Sequence, residues 1–316
     1  MSIVSLAKKI MKYEIWSKDV MSYELVEGYK LERAEQQEFA DYYAVYFQMK
    51  NADGWFKKSY RIMKTIVGEE DEYFWIIKDD VKVGGILIEP NSIAELFMIP
   101  PYSQIDSLLE KLKEILVFWS DTTKAIIADV IEPSLVENYE KIGFEKVDSG
   151  RWMIRPTEKF NITWEECFYI VAPKREDELE IGKLIHEAFE NNLNLNKSYS
   201  LNEYTAWVKE YFDDYLDIEI LNEASTLVYD KATNELVGVC YISIWQEWPL
   251  VSQIAVKPSY EGKGIGTKMI KKALTVLREE YPVVRLYVDI GNQAEKVYYN
   301  MGFLKGVELT QMKLFL

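Results

Sequence analysis

The sequence predicts an α/β (α+β) protein of two tandem domains, each a mixed, mostly antiparallel sheet flanked by helices. Three observations carry this. Runs rich in β-branched and aromatic residues alternate with helical periodicities in both halves. The halves end alike, with Tyr139-Glu140-Lys141-Ile142-Gly143-Phe144 echoed by Tyr298-Tyr299-Asn300-Met301-Gly302-Phe303. A length of 316 residues suits two domains better than one.

The elements follow in order. Ile3, Leu6, Ala7, Ile10 and Met11 recur at helical spacing, so 1–22 is expected to form an amphipathic helix. Lys8, Lys9 and Lys12 interrupt it, leaving no continuous apolar run of the kind a secretion signal needs. A first domain is expected over 23–158. It reads as a strand at 23–33, helices at 36–50 and 54–67, and strands at 73–77, 81–88 and 93–99. Ile105, Leu108, Leu109, Leu112, Ile115 and Leu116 then mark a helix, followed by a strand at 124–130 and a short helix at 135–142. Pro156, Thr157, Glu158 and Lys159 break the pattern. A second domain is expected over 166–316. It has a strand at 168–172, helices at 175–191 and 201–215, and strands at 225–229, 235–245 and 250–256. A helix from Gly264, ended by Pro282, a strand at 283–288, a helix at 293–301 and closing strands complete it.

Composition narrows the function. The formal charge of −15 repels a nucleic-acid backbone, so no nucleic-acid partner is expected. The apolar runs are too short to span a bilayer, so a cytoplasmic protein without a membrane partner is expected, as a monomer or homodimer. Cys167 and Cys240 form no metal or redox spacing, and His186 stands alone on a helix as a structural residue, so no metal site is expected.

The chemistry-bearing segment is Val256-Lys257-Pro258-Ser259-Tyr260-Glu261-Gly262-Lys263-Gly264-Ile265-Gly266, which runs from strand through turn into helix. Successive N–H groups at a helix start point outward, and the helix dipole favours an anion there. Glycines let that backbone approach a pyrophosphate without a Cβ in the way.

With these residues the chain resembles the GNAT acetyltransferase superfamily, whose strand and loop typically read V-x-P-x-x-R/Q-x-x-G-x-G/A. Val256, Pro258, Gly264 and Gly266 carry that pattern. The family's later N-x-x-A-x-x-x-Y-x-x-x-G-F pattern is carried by Asn292, Ala294, Tyr298, Gly302 and Phe303. The resemblance covers the second half and departs at Glu261, where the family usually has Arg or Gln. Asn292 also lies one residue closer to Ala294 than in many relatives.

The resemblance implies an N-acetyltransferase that moves an acetyl group from acetyl-CoA to a primary amine of a small molecule or peptide. Ile254, Ala255 and Val256 would offer main-chain groups to the pantetheine arm. Gly262, Lys263, Gly264, Ile265, Gly266 and Thr267 would cradle the pyrophosphate, and Asn292 would hydrogen-bond the cofactor. Tyr298 would be the general acid for the departing thiolate. Tyr287 stands where some relatives carry a basic Glu. Glu247, beside Trp245 and Trp248, is the candidate base, or else a solvated loop carboxylate. Tyr199, Tyr204, Trp207 and Tyr211 border the acceptor site by analogy, either as cation–π partners of an amine or as core residues, the latter preferred. The alternative to an enzyme is a non-catalytic acyl-CoA sensor or interaction scaffold.

The first half lacks the loop. It reads Ile99-Pro100-Pro101-Tyr102-Ser103-Gln104-Ile105-Asp106, without glycine and with two residues that donate no N–H. This copy is expected not to bind the cofactor in the usual way, with Tyr139 structural.

Overall fold

A computed structural model describes residues 13–43, 46–47, 72–190 and 199–316. They fall into two compact units, Met1–Gly150 with Val307–Leu316, and Arg151–Gly306. The first unit thus ends at Gly150 rather than at 158 and takes in 307–316, which the sequence reading assigns to the second domain.

The first unit holds β1 (Ser22–Glu24), β2 (Tyr29–Arg33), α1 (Gln36–Tyr43), β3 (Tyr73–Lys78), β4 (Val81–Glu89), β5 (Ser92–Met98), α2 (Ile105–Trp119), β6 (Ile126–Ile131), α3 (Pro133–Lys141) and the start of β7 (Glu145–Pro156). β1 to β5 are antiparallel neighbours, and β6 joins β5 in parallel with Ser92 opposite Ile127. α2 buries Leu108, Leu109, Leu112, Ile115 and Leu116, the stripe its periodicity requires. Most of the helix expected over 1–22, and all of that over 54–67, lies outside the described residues. Residues 13–21 are not helical. The Ser17 N–H donates to the Tyr23 hydroxyl (2.7 Å), and Arg33 donates to the Ser17 and Val20 carbonyls. These bonds tie the segment to the sheet and outweigh its weak helical pattern.

The second unit begins within β7 and continues through β8 (Phe168–Val171), α4 (Glu178–Glu190), α5 (Leu201–Tyr215), α6 (Glu219–Ala224), β9 (Thr226–Asp230), β10 (Glu235–Trp245), β11 (Trp248–Val256), α7 (Ile265–Leu277), β12 (Val283–Asp289), α8 (Ala294–Asn300) and β13 (Leu304–Lys305). The last strand, β14 (Leu309–Leu314), returns to the first unit and pairs antiparallel with both β6 and β7. α5 starts at Ser200, whose side chain accepts from the Glu203 N–H while the Glu203 carboxylate accepts from the Ser200 N–H, a capping box written in the sequence. α6 escapes sequence reading because six residues carry too little periodicity.

β8 to β11 form an antiparallel run, and β12 lies parallel to β11. α4 and α5 cover one face of this sheet, where Ile181, Val208 and Phe212 meet Val239 and Ala255. α7 and α8 cover the other, where Met269, Leu274 and Tyr298 meet Cys240 and Leu286. Gly238 permits the close approach of α7 to β10, since a Cβ there would stand 2.9 Å from Ile265.

A buried hydrogen-bond network supports β10. The Ser225 hydroxyl donates to the Leu221 carbonyl (2.8 Å) and accepts from the Ile242 N–H (3.0 Å), with the Tyr211 hydroxyl 2.9 Å away. Ser225→Ala leaves that N–H buried without an acceptor, which costs about 1–3 kcal/mol. Chemical denaturation is expected to show this loss, with an unchanged m-value.

The two units share a local plan. In each, three antiparallel strands precede a parallel pair, with one helix connecting that pair and a second following it. Phe144 and Phe303 each donate an N–H to the carbonyl of Tyr139 and Tyr298 respectively, both at 3.1 Å. Gly143 and Gly302 both take positive φ at the bend between.

Candidate active site

β11 and β12 meet where Leu250 stands opposite Arg285. β11 then carries a bulge. Tyr241 faces Gln253 but Ile242 faces Val251, so Ser252 is the extra residue. A bulge bends and twists its strand, and beyond this one the two strands wall a cavity of about 270 Å³. One wall is 251–256 of β11 and the other is 286–289 of β12. Ala188 and Phe189 at the end of α4, with Glu261, Asn292, Ala294 and Tyr298, close it.

The β11 wall contains Ile254, Ala255 and Val256. Their other edge is paired with β10, at Cys240, Val239 and Gly238. The edge toward β12 is left for an extended ligand arm, which would add to the sheet as another strand does.

Glu261, in the cavity wall, leads into the glycine loop. The Tyr260 and Glu261 N–H groups donate back to Lys257 and Pro258, completing a tight turn. Gly262 and Gly264 follow with φ of 73° and 77°, and a Cβ on either meets nothing within 4 Å. Gly264 is the N-cap of α7 without any side-chain cap. The N–H groups of Ile265, Gly266 and Thr267 have no acceptor within the helix. No acidic residue lies in the first turn. Open donors at a helix start, with space in front of them, are what an anionic group requires. Lys263 folds over Tyr260 at 4.1 Å, and the Tyr260 hydroxyl donates to Asp230 (3.0 Å), which anchors the loop from behind.

Tyr298 lies in the cavity wall and is 8% exposed. Burial holds its phenol well above the ordinary value, so the proton stays on oxygen throughout the neutral range. Asn292 also lines the cavity, but its Oδ1 accepts from the Ala294 N–H (2.9 Å) and so starts α8.

Glu247 is not brought to this site. It sits exposed at the β10–β11 hairpin, with φ of 70°, and does not line the cavity. The carboxylates in the wall are Glu261 and Asp289. Asp289 could have been found from the alternation along β12, where Arg285, Tyr287 and Asp289 interleave with buried Val284, Leu286 and Val288. Tyr204 and Tyr211 are core residues, while Tyr199 packs edge-on against exposed Trp207 at 4.8 Å, outside the cavity wall. His186 lies 3.7 Å from Glu190 and edge-on to Tyr204. Among the described residues no cluster of metal-binding side chains occurs, and no helix is long and apolar enough to cross a membrane.

The corresponding place in the first unit is different. The Ile105 N–H already donates to Ser103 (2.9 Å), and Asp106 puts a carboxylate in the first turn of α2. Tyr139 is fully buried, and its hydroxyl has no partner among the described residues.

Comparison with known proteins agrees with this geometry. Residues 189–303 match the model of the acetyltransferase (GNAT) family. An L-2,4-diaminobutyric acid acetyltransferase of Oceanobacillus iheyensis is 31% identical over 122 residues, covering 37% of this chain and 58% of that protein. The chain thus spans a little under three-fifths of that relative. Among solved structures, a GCN5-related N-acetyltransferase from Sphaerobacter thermophilus superposes with a TM-score of 0.68 at 14% identity, covering 92% of this chain and 96% of that one. A tandem GNAT protein from the clavulanic acid biosynthesis pathway gives 0.58 at 12%, covering 92% and 98%. The glycine cradle, the splayed strands and Tyr298 all lie in the matched segment, and the second unit carries a domain of the acetyltransferase (GNAT) family.

Proposed function

We propose that the chain transfers an acetyl group from acetyl-CoA to a primary amine of a small molecule or peptide, at one site in the second unit. The supporting observation is a cavity between β11 and β12 that runs from Glu261, the residue before the glycines at the uncapped start of α7, to a buried, protonated tyrosine. The relative named for diaminobutyric acid, a small-molecule amine, fits this reading.

Acetyl-CoA supplies the activated acyl group. The N–H groups of 265–267 hold its diphosphate, and the free edge of β11 aligns its arm. The acceptor nitrogen attacks the thioester carbon, and the carbon–sulfur bond breaks. The Tyr298 hydroxyl gives its proton to the departing sulfur. Asp289 in the wall receives the ammonium proton through water, the role expected of Glu247. Glu247→Gln is therefore expected to change kcat/KM by less than about threefold, as for other exposed groups away from the chemistry. A loss beyond roughly 100-fold in steady-state assays would restore Glu247 as the base.

The first unit, in this reading, is a copy that no longer binds CoA. Asp106 and the bonded Ile105 N–H stand where the second unit offers open donors. The experiment for the whole proposal is release of free thiol from acetyl-CoA in the presence of polyamines, amino acids, aminoglycosides and peptide N-termini. Release with at least one class is expected, and its absence with all of them overturns the proposal. One observation favours a second reading, an acyl-CoA sensor. Glu261 places a carboxylate in the wall beside the anion cradle. Calorimetric binding without any release supports that reading.

A further inference from the structure

Arg285 is a charged side chain that the transfer chemistry leaves unused. It stands opposite Leu250 and directly precedes Leu286, the first residue of β12 to line the cavity. Its guanidinium lies against two indole rings, 5.6 Å from the centre of Trp152 and 5.4 Å from that of Trp245. Those rings stack on each other at 4.6 Å and 10°. Of its five N–H donors, the Nη2 group reaches the Trp245 carbonyl, and Nε is buried without a partner among the described residues. No ion pair among the described residues includes it. Burial pushes its pKa down to about 10, with no neighbouring carboxylate opposing that shift.

A desolvated guanidinium without an acid is costly. Cation–π contact with two indoles offsets part of that cost. It leaves the planar fork, whose natural partner is a carboxylate held by parallel hydrogen bonds, largely unused.

The position matters as much as the charge. Arg285, Tyr287 and Asp289 share one face of β12, and the latter two line the cavity. Tyr287, which lines the cavity, meets Trp152 edge-on at 5.3 Å, and Trp152 in turn lies against the guanidinium. Alternate residues on a strand stand about 6.6 Å apart. The carboxylate and side-chain amine of a short diamino acid, two to four methylenes apart, span a similar roughly 5–8 Å. A group fixed at Arg285 therefore leaves its amine at the level of Tyr287, with Asp289 beyond.

We propose that Arg285 is a specificity-determining residue that binds the carboxylate of the acceptor, so that the substrate class is amino acids bearing a primary amine rather than simple amines. This deepens the acetyl-transfer reading and rests on it. Trp152 and Trp245 hold the guanidinium in place, and the acid–amine separation of the substrate is measured along β12.

The test uses the full chain, acetyl-CoA and matched acceptors that differ only in the carboxylate, L-2,4-diaminobutyrate against 1,3-diaminopropane and L-lysine against 1,5-diaminopentane. The amino acid of at least one pair is expected to have a roughly 10–100-fold higher kcat/KM, carried by KM, as for hydrogen bonds between charged groups. Arg285→Gln is expected to collapse that preference to within about threefold, and Arg285→Lys to restore part of it. Equal or better turnover of the diamines by the unaltered protein overturns the proposal. So does a preference that survives in Arg285→Gln. Should Arg285→Gln not fold, the matched pairs with the unaltered protein and the Lys variant decide the matter.

Failure of the transfer reading looks different. CoA then binds but no amine releases thiol. In that case, calorimetric titration of diaminobutyrate and diaminopropane into the CoA-loaded chain still decides the question. Binding of the amino acid alone supports the carboxylate site, and equal binding or none overturns it.

Discussion

Tyr298→Phe is expected to lower kcat by roughly 10²–10³-fold while leaving acetyl-CoA affinity within about threefold, the signature of a lost general acid. The substitution removes one oxygen from a ring that is otherwise packed against Phe303 and the core of α7 and β12, so the cavity keeps its shape. Burial is the main cause of the raised phenol pKa, and Cys240 adds to it. The sign follows directly. A raised pKa keeps the protonated, donating form present to higher pH than the ordinary value of about 10. Turnover of the unaltered protein is thus expected to rise with pH as the acceptor amine loses its proton. It should show no alkaline fall that traces to Tyr298 below about pH 10. A pH–rate profile and a single-turnover measurement check both points. Full activity in the Phe variant, with chemistry rate-limiting, removes Tyr298 from the mechanism.

Gly264→Val is expected to weaken acetyl-CoA binding by roughly 100-fold or more, with a smaller loss of fold stability, about 1–3 kcal/mol for a side chain held at positive φ. Two separate effects are involved. Gly264 has φ of 77°, a conformation that a β-branched residue resists. A Cβ there meets nothing of the protein within 4 Å, so the new side chain projects into open space at the start of α7, where the diphosphate is proposed to sit. The free protein therefore tolerates its volume and the diphosphate does not. Isothermal calorimetry for affinity and thermal unfolding for stability separate the two. Undiminished CoA binding in a folded Val variant places the diphosphate elsewhere.

Much of this architecture is legible in the chain. The strand limits 235–245 and the helix limits 201–215 coincide with the sequence reading because alternation, capping and turn residues agree there. The glycine turn into α7 and the placing of Tyr298 one turn before Gly302 are legible for the same reason, since local backbone requirements fix them. What the sequence conceals is set by distance. The return of β14 to the first unit depends on pairing with β6 and β7, far away in the chain. The division of the chain inside β7, which runs on to Pro156, depends on the pairing of that strand with β13 and β14. Glu247 looked chemical because two tryptophans flank it, yet those tryptophans are a cross-strand pair that closes a hairpin. Arg285 drew no notice because a lone arginine in a strand says nothing until Trp152, from β7, is seen beside it.

The central claim is a single CoA site, in the second unit, built on the N-terminus of α7. Calorimetric titration of the full chain with acetyl-CoA, repeated on Gly264→Val, tests it most directly. The expected result is a stoichiometry of one per chain and its loss in the variant. Two sites per chain, or a site that survives the substitution, would contradict it.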